Sequence, residues 1–182
     1  MASYRNKLPA ASGGSQPSFQ RGVYVWSART TAAVIPISVV PASNSFITQI
    51  SASFATGDST SSTTFTAALK SSGVEIELSR ESASVVNVII SWEVCTDPAA
   101  SVQRGVQLFT TEREFNITVP LIANLNKASA RIVGVPQSFE ASTTMQIAPT
   151  AVRCELSSSS IKLSRDATNY RTRVAWEVVT YV

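Results

Sequence analysis

The strongest constraint on this chain is a strand that it carries twice. Val88-Ile-Ile-Ser-Trp-Glu-Val94 and Thr172-Arg-Val-Ala-Trp-Glu-Val178 share a Trp-Glu-Val core. Residues two apart lie on one face of a strand. Val88, Ile90, Trp92 and Val94 therefore share a face in the first copy, as do Thr172, Val174, Trp176 and Val178 in the second. A large aromatic side chain centred in an alternating apolar row marks a core strand. Glu93 and Glu177 fall on the opposite face.

Searching outward from these strands uncovers a duplication. Phe19-Gln-Arg-Gly22 matches Val102-Gln-Arg-Gly105, and Val34-Ile-Pro-Ile37 lies opposite Ile117-Thr-Val-Pro120. Asn44 to Ile50 lies opposite Asn126 to Ile132, and Leu78-Ser-Arg-Glu81 matches Leu163-Ser-Arg-Asp166. The landmarks keep their order, and their spacing drifts by only a residue or two, as short loop insertions would make it. The chain reads as two copies of one unit of about 80 residues, the kind of internal repeat that decides a fold. The expected organisation is an extended N-terminal arm over residues 1–18, a first β unit over 19–97 and a second over 98–182.

Composition fits an assembly component. Hydrophobic residues make up 44% of the 182-residue chain, enough for a core, while charged residues are only 15%, well below the usual quarter. Ser, Thr and Ala make up the difference, leaving a neutral, polar surface. The net charge of +3 is spread along the chain, without the basic run of a nucleic-acid-binding arm. No apolar stretch reaches the length of a membrane helix. The N-terminal residues lack the apolar middle of a signal peptide. Cys95 and Cys154 occupy non-equivalent repeat positions and are expected to be free thiols, as in a reducing cytoplasm.

Strong β formers dominate the apolar segments, turns recur about every ten residues, and helical periodicity is missing. The expected fold is all-β: two tandem copies of a small antiparallel β-sandwich or barrel-like unit, about six strands each. Pro36 pushes its strand towards a sheet edge. Phe46, Thr48, Ile50, Ala52 and Phe54 alternate and are expected to share one face of the third strand. Residues 1–18 have no apolar period. Extended, they reach up to about 60 Å, enough to anchor on a neighbouring subunit through Tyr4, Leu8 and the nearby Phe19.

Little in the sequence points to chemistry. The chain contains no histidine, which removes Ser-His-Asp and Cys-His catalysis, most zinc sites and the commonest general base. Its seven glycines form no phosphate-binding loop. Glu93 and Glu177 could suggest a paired-acid glycosidase, but duplication places one acid in each copy. No catalytic, metal or cofactor site is expected. Arg21 and Arg104, of the two Gln-Arg-Gly segments, can each pair across strands with Glu93 or Glu177. The candidate structural and assembly residues are thus Tyr4, Leu8, Phe19, Arg21, Arg104, Glu93, Glu177, Trp92 and Trp176.

Ile90-Ser-Trp-Glu-Val-Cys95, followed by Ser101-Val-Gln-Arg-Gly105, resembles a pattern in virion-associated proteins of tailed bacteriophages. There a W-x-V-V-x-aromatic strand precedes V-x-V-Q-R-G. Trp176-Glu-Val-Val-Thr-Tyr181 is similar to the same strand in fuller form. The first copy departs from the pattern, with Cys95 and Asp97 where it has an aliphatic and an aromatic residue. The resemblance implies a non-enzymatic structural protein of a phage particle, on the head surface as decoration or head fibre, or on the tail. Its expected partners are other virion proteins and further copies of itself, with synthesis in the host cytoplasm and residence in the virion. Two alternatives are a carbohydrate-binding adhesion module for a host surface glycan, with Tyr24, Tyr181, Phe109 and Phe139 as aromatic platforms, and a jelly-roll coat protein of a small icosahedral virus. The duplication and the missing Arg-rich arm count against the latter.

Overall fold

A computed structural model describes residues 16–54, 64–80, 87–120, 122, 124–139, 151–166, 168 and 171–181. The fold is all-β. The first half contributes β1 (Ser18–Trp26), β2 (Ala32–Pro36), β3 (Ser45–Phe54), β4 (Phe65–Leu69), β5 (Glu75–Ser79) and β6 (Val88–Thr96). The second contributes β7 (Ala100–Phe109), β8 (Glu114–Thr118), β9 (Ala128–Phe139), β10 (Val152–Leu156), β11 (Ser160–Arg165) and β12 (Arg171–Tyr181). Single 3₁₀ turns, Ala42–Asn44 and Leu125–Lys127, lead into β3 and β9.

The strands form antiparallel sheets in the orders β1-β6-β3, β10-β11-β8 and β2-β5-β4-β9-β12-β7. The wiring is the same in both halves. β6 lies between β1 and β3 as β12 lies between β7 and β9, and β5 lies between β2 and β4 as β11 lies between β8 and β10. β4 also pairs with β9, at Phe65↔Val135 and Thr66↔Gly134, which joins strands of both halves into the six-stranded sheet.

Alternation decides which residues enter the two main cores. In the first, Trp26, Phe65, Leu69, Ile76, Leu78, Val88, Ile90 and Val94 pack together. In the second, Phe109, Ile161, Leu163, Val174, Trp176 and Val178 do so. Val133 and Ala175, from β9 and β12, belong to the first core. They project from the face of their sheet opposite Trp176, so this face of the second half closes the open side of the first.

The expected alternation of β3 does not hold. Its register against β6 slips between Ile47 and Gln49, because Thr48 is an extra residue in a β-bulge. Ile47 therefore enters the core, with Ile50 and Ala52 packed against it, and Thr48 is exposed. Phe46 turns to the other face and is buried with Cys95, Ala100 and Val179. Pro36 ends β2, which is an edge strand of the six-stranded sheet.

Candidate functional site: two equivalent arginine–glutamate pairs

Each Trp-Glu-Val strand pairs with a Gln-Arg-Gly strand in the same register. Gly22 faces Trp92 and Arg21 faces Glu93; Gly105 faces Trp176 and Arg104 faces Glu177. The glycines are there for the indoles. A Cβ on Gly22 would lie 2.8 Å from the Trp92 ring, and one on Gly105 2.7 Å from the Trp176 ring. Each indole is thus laid flat over its neighbouring strand. Trp176 is buried in the second core. Trp92 packs against the first core but is only partly covered, lining an open cleft with Gln20, Pro36, Ile37 and Ser38.

On the opposite face the two arginine–glutamate pairs meet different surroundings. Arg21 Nη2 lies 2.9 Å from Glu93 Oε2, with the side chains 72% and 23% exposed. The bulged Thr48 donates its hydroxyl to Glu93 Oε1 at 2.7 Å. Around this pair the surface is apolar and open: Phe19, Val23, Val25 and Ile89 are all exposed.

Arg104 Nε lies 3.3 Å from Glu177 Oε1, but here the side chains are only 17% and 2% exposed. The first half of the chain covers this pair. Arg104 donates from Nη1 to the Ala42 carbonyl at 3.0 Å and from Nη2 to the Ser45 carbonyl. The Ile47 amide, on edge strand β3, donates to Glu177 Oε2 at 3.2 Å. Arg131 adds a second cation, its Nε 3.4 Å from Glu177 Oε2, while its guanidinium lies 4.5 Å from the centre of the Phe46 ring. Burial pushes the Glu177 carboxyl above its ordinary value, against the pull of Arg104, Arg131 and the Ile47 amide. Burial likewise lowers Arg104, against the pull of Glu177. Both directions say that desolvation outweighs attraction here. A cluster of this kind fixes how two surfaces sit together more than it stabilises them.

Sequence reasoning missed a second pair of arginines, Arg80 and Arg165, which are 2% and 3% exposed. Arg80 lies over the Trp26 ring at 4.2 Å and donates to the carbonyls of Ser27 and Thr30. Arg165 lies over Phe109 at 4.9 Å and donates to the carbonyls of Thr110 and Glu112. Each clamps the turn that follows the first strand of its unit. The matched Leu-Ser-Arg segments carried the signal, but nothing local shows that their arginines turn inward.

Tyr4 and Leu8 lie outside the described residues. Of the aromatic platforms, Phe109 is buried beneath Arg165 and Tyr24 packs against the first core; Tyr181 is exposed, and the Phe139 side chain lies outside the description. Cys95 and Cys154 are unbridged, and burial raises both thiols to about 11. Among the described residues, no group of three or more His, Cys, Asp or Glu side chains could hold a metal. Among the same residues, no helix is long and apolar enough to cross a membrane. No known protein family, curated protein or solved structure matches the chain. What the fold and the paired strands define is an all-β protein of antiparallel sheets, with one arginine–glutamate pair covered and its equivalent open.

Proposed function

We propose that this chain is a non-enzymatic structural protein of a bacteriophage particle, placed on the head surface or the tail, and that it works through assembly contacts. The observation that carries this reading is the docking of one half of the chain on the other around Arg104 and Glu177. A motif used inside the chain as a joint is present a second time with its face open. The low charge and the resemblance of the Trp-Glu-Val and Gln-Arg-Gly strands to virion-associated proteins point the same way. Partners on the particle are other virion proteins and further copies of the chain. The carbohydrate-binding alternative is weakened by the burial of Phe109 and the packing of Tyr24.

The test is mass spectrometry of gradient-purified particles from the phage that encodes the chain, followed by immunogold labelling. The expected result is a fixed copy number per particle with label confined to the head or the tail. Absence of the chain from particles that are otherwise complete overturns the reading.

A further inference from the structure

The covered pair shows what its surface receives. Onto the outer face of β7-β12-β9 comes the shoulder formed by the Ala42–Asn44 turn and the start of β3, bringing the Ala42 and Ser45 carbonyls, the Ile47 amide and the Phe46 ring. The equivalent face of β1-β6-β3 is open around Arg21 and Glu93. The equivalent shoulder of the second half is open too: residues 124–127 are exposed and Leu125 is 45% exposed. The chain thus holds one joint closed inside itself and presents both separate halves of the same joint at its surface.

We propose that the Arg21–Glu93 face of one molecule receives the Leu125–Ser129 shoulder of another, head to tail, in the manner of the internal joint. This deepens the assembly reading and rests on it. Arg21 takes the place of Arg104 and donates to the carbonyls of Leu125 and Ala128, which stand where Ala42 and Ser45 stand in the first half. Side-chain volumes trade places across the joint. Inside the chain a large Phe46 meets a face whose corresponding strand carries Val102. Between molecules, the small and exposed Ser129 of the shoulder meets a face that carries the larger Phe19, 52% exposed. Thr48, already bonded to Glu93, supplies the second polar contact that Arg131 supplies to Glu177. Such a contact is heterologous, so repeated copies close into a ring or run on as a filament.

Two variants separate head from tail. Arg21→Glu with Val23→Asp damages the face; Leu125→Asp damages the shoulder. All three positions are well exposed, so an unchanged circular-dichroism melt confirms that each variant folds. The readout is mass by sedimentation velocity over a rising concentration series. Wild type is expected to exceed two chains. Each variant alone is expected to remain at the 19.4 kDa monomer. Their equimolar mixture is expected to stop at twice that mass, since only one intact face and one intact shoulder remain to meet.

A shoulder variant that assembles as wild type does, beside a monomeric face variant, means that faces pair with each other and overturns the proposal. A wild type that stays monomeric also overturns it, and removal of residues 1–15 then shows whether the arm occupies the face. A chain that is monomeric alone yet present on particles overturns this joint and leaves the particle reading standing. Head-to-tail oligomers that are absent from particles do the reverse.

Discussion

Arg21–Glu93 and Arg104–Glu177 come from the same local sequence, sit in the same cross-strand register and lie beside the same Trp-over-Gly element. One is 72% and 23% exposed; the other is 17% and 2% exposed. The pairing itself is therefore a property of the repeated unit, while the environment is a property of what docks on it. Arg80 and Arg165 provide the contrast. Both are buried, each over an aromatic ring with its following turn clamped, so both do the same work within their own units. The outward-facing pair is where the two units are put to different use.

The largest expected difference follows from removing one partner of each pair. Glu177→Ala leaves the buried Arg104 guanidinium and Ile47 amide without the acceptor that even a protonated carboxyl provides, and is expected to cost about 3–5 kcal/mol. Glu93→Ala removes one side of an exposed pair and is expected to cost less than about 1 kcal/mol. Urea midpoints of the two variants measure this. Equal losses would break the comparison.

Next in size is a change that should not distinguish the halves. Gly22→Ala and Gly105→Ala each drive a methyl group into an indole ring that has a core behind it. Overpacking of this kind costs about 1–3 kcal/mol, and the losses are expected to agree within about 1 kcal/mol, with Gly22→Ala the milder because Trp92 is less covered. A large loss at Gly105 alone would mean that the Trp-over-Gly element belongs to the joint and not to the unit.

A smaller effect is set by pH. The folded Glu177 carboxyl lies above its ordinary value of 4.5, so protonation favours the fold. Its contribution is whole below about 4.5 and is lost as pH rises through the raised folded value. Glu112 behaves oppositely. The amides of Thr110 and Thr111 and the Thr110 hydroxyl hold its carboxyl down to about 2. Its contribution is present above the ordinary value and is lost as pH falls towards about 2. Chemical denaturation of wild type, Glu177→Gln and Glu112→Gln from pH 2 to 7 reads both: glutamine mimics a protonated carboxyl, so the wild-type profile should approach both variants at the acid end and part from them as pH rises, falling relative to Glu177→Gln and rising relative to Glu112→Gln. A Glu177→Gln profile parallel to wild type throughout would show that this carboxyl does not titrate differently on folding.

The β class and the pairing of arginine with glutamate were legible because alternation and cross-strand neighbours are local facts. Trp92 and Trp176 announced their strands, and the two Gln-Arg-Gly segments announced the partners. The bulge at Thr48 was not legible. Phe46, Thr48, Ile50 and Ala52 alternate without a break, and only the ladder against β6 shows that one residue is extra. Nor could the sequence distinguish Glu93 from Glu177. Both sit in Trp-Glu-Val, and the difference comes from Ala42, Ser45 and Ile47, far away along the chain. Arg131 was hidden for the same reason: its repeat equivalent is Gln49, so no match flagged it. Long-range docking, rather than local propensity, made the difference between the two pairs.

The most direct measurement is a double-mutant cycle on each pair in dilute, monomeric protein. Arg104→Ala, Glu177→Ala and their double variant are expected to give a coupling of about 2 kcal/mol or more, while Arg21→Ala, Glu93→Ala and their double variant are expected to give less than about 0.5 kcal/mol. Equal couplings would contradict the claim that one pair is a closed joint and the other is the same joint left open.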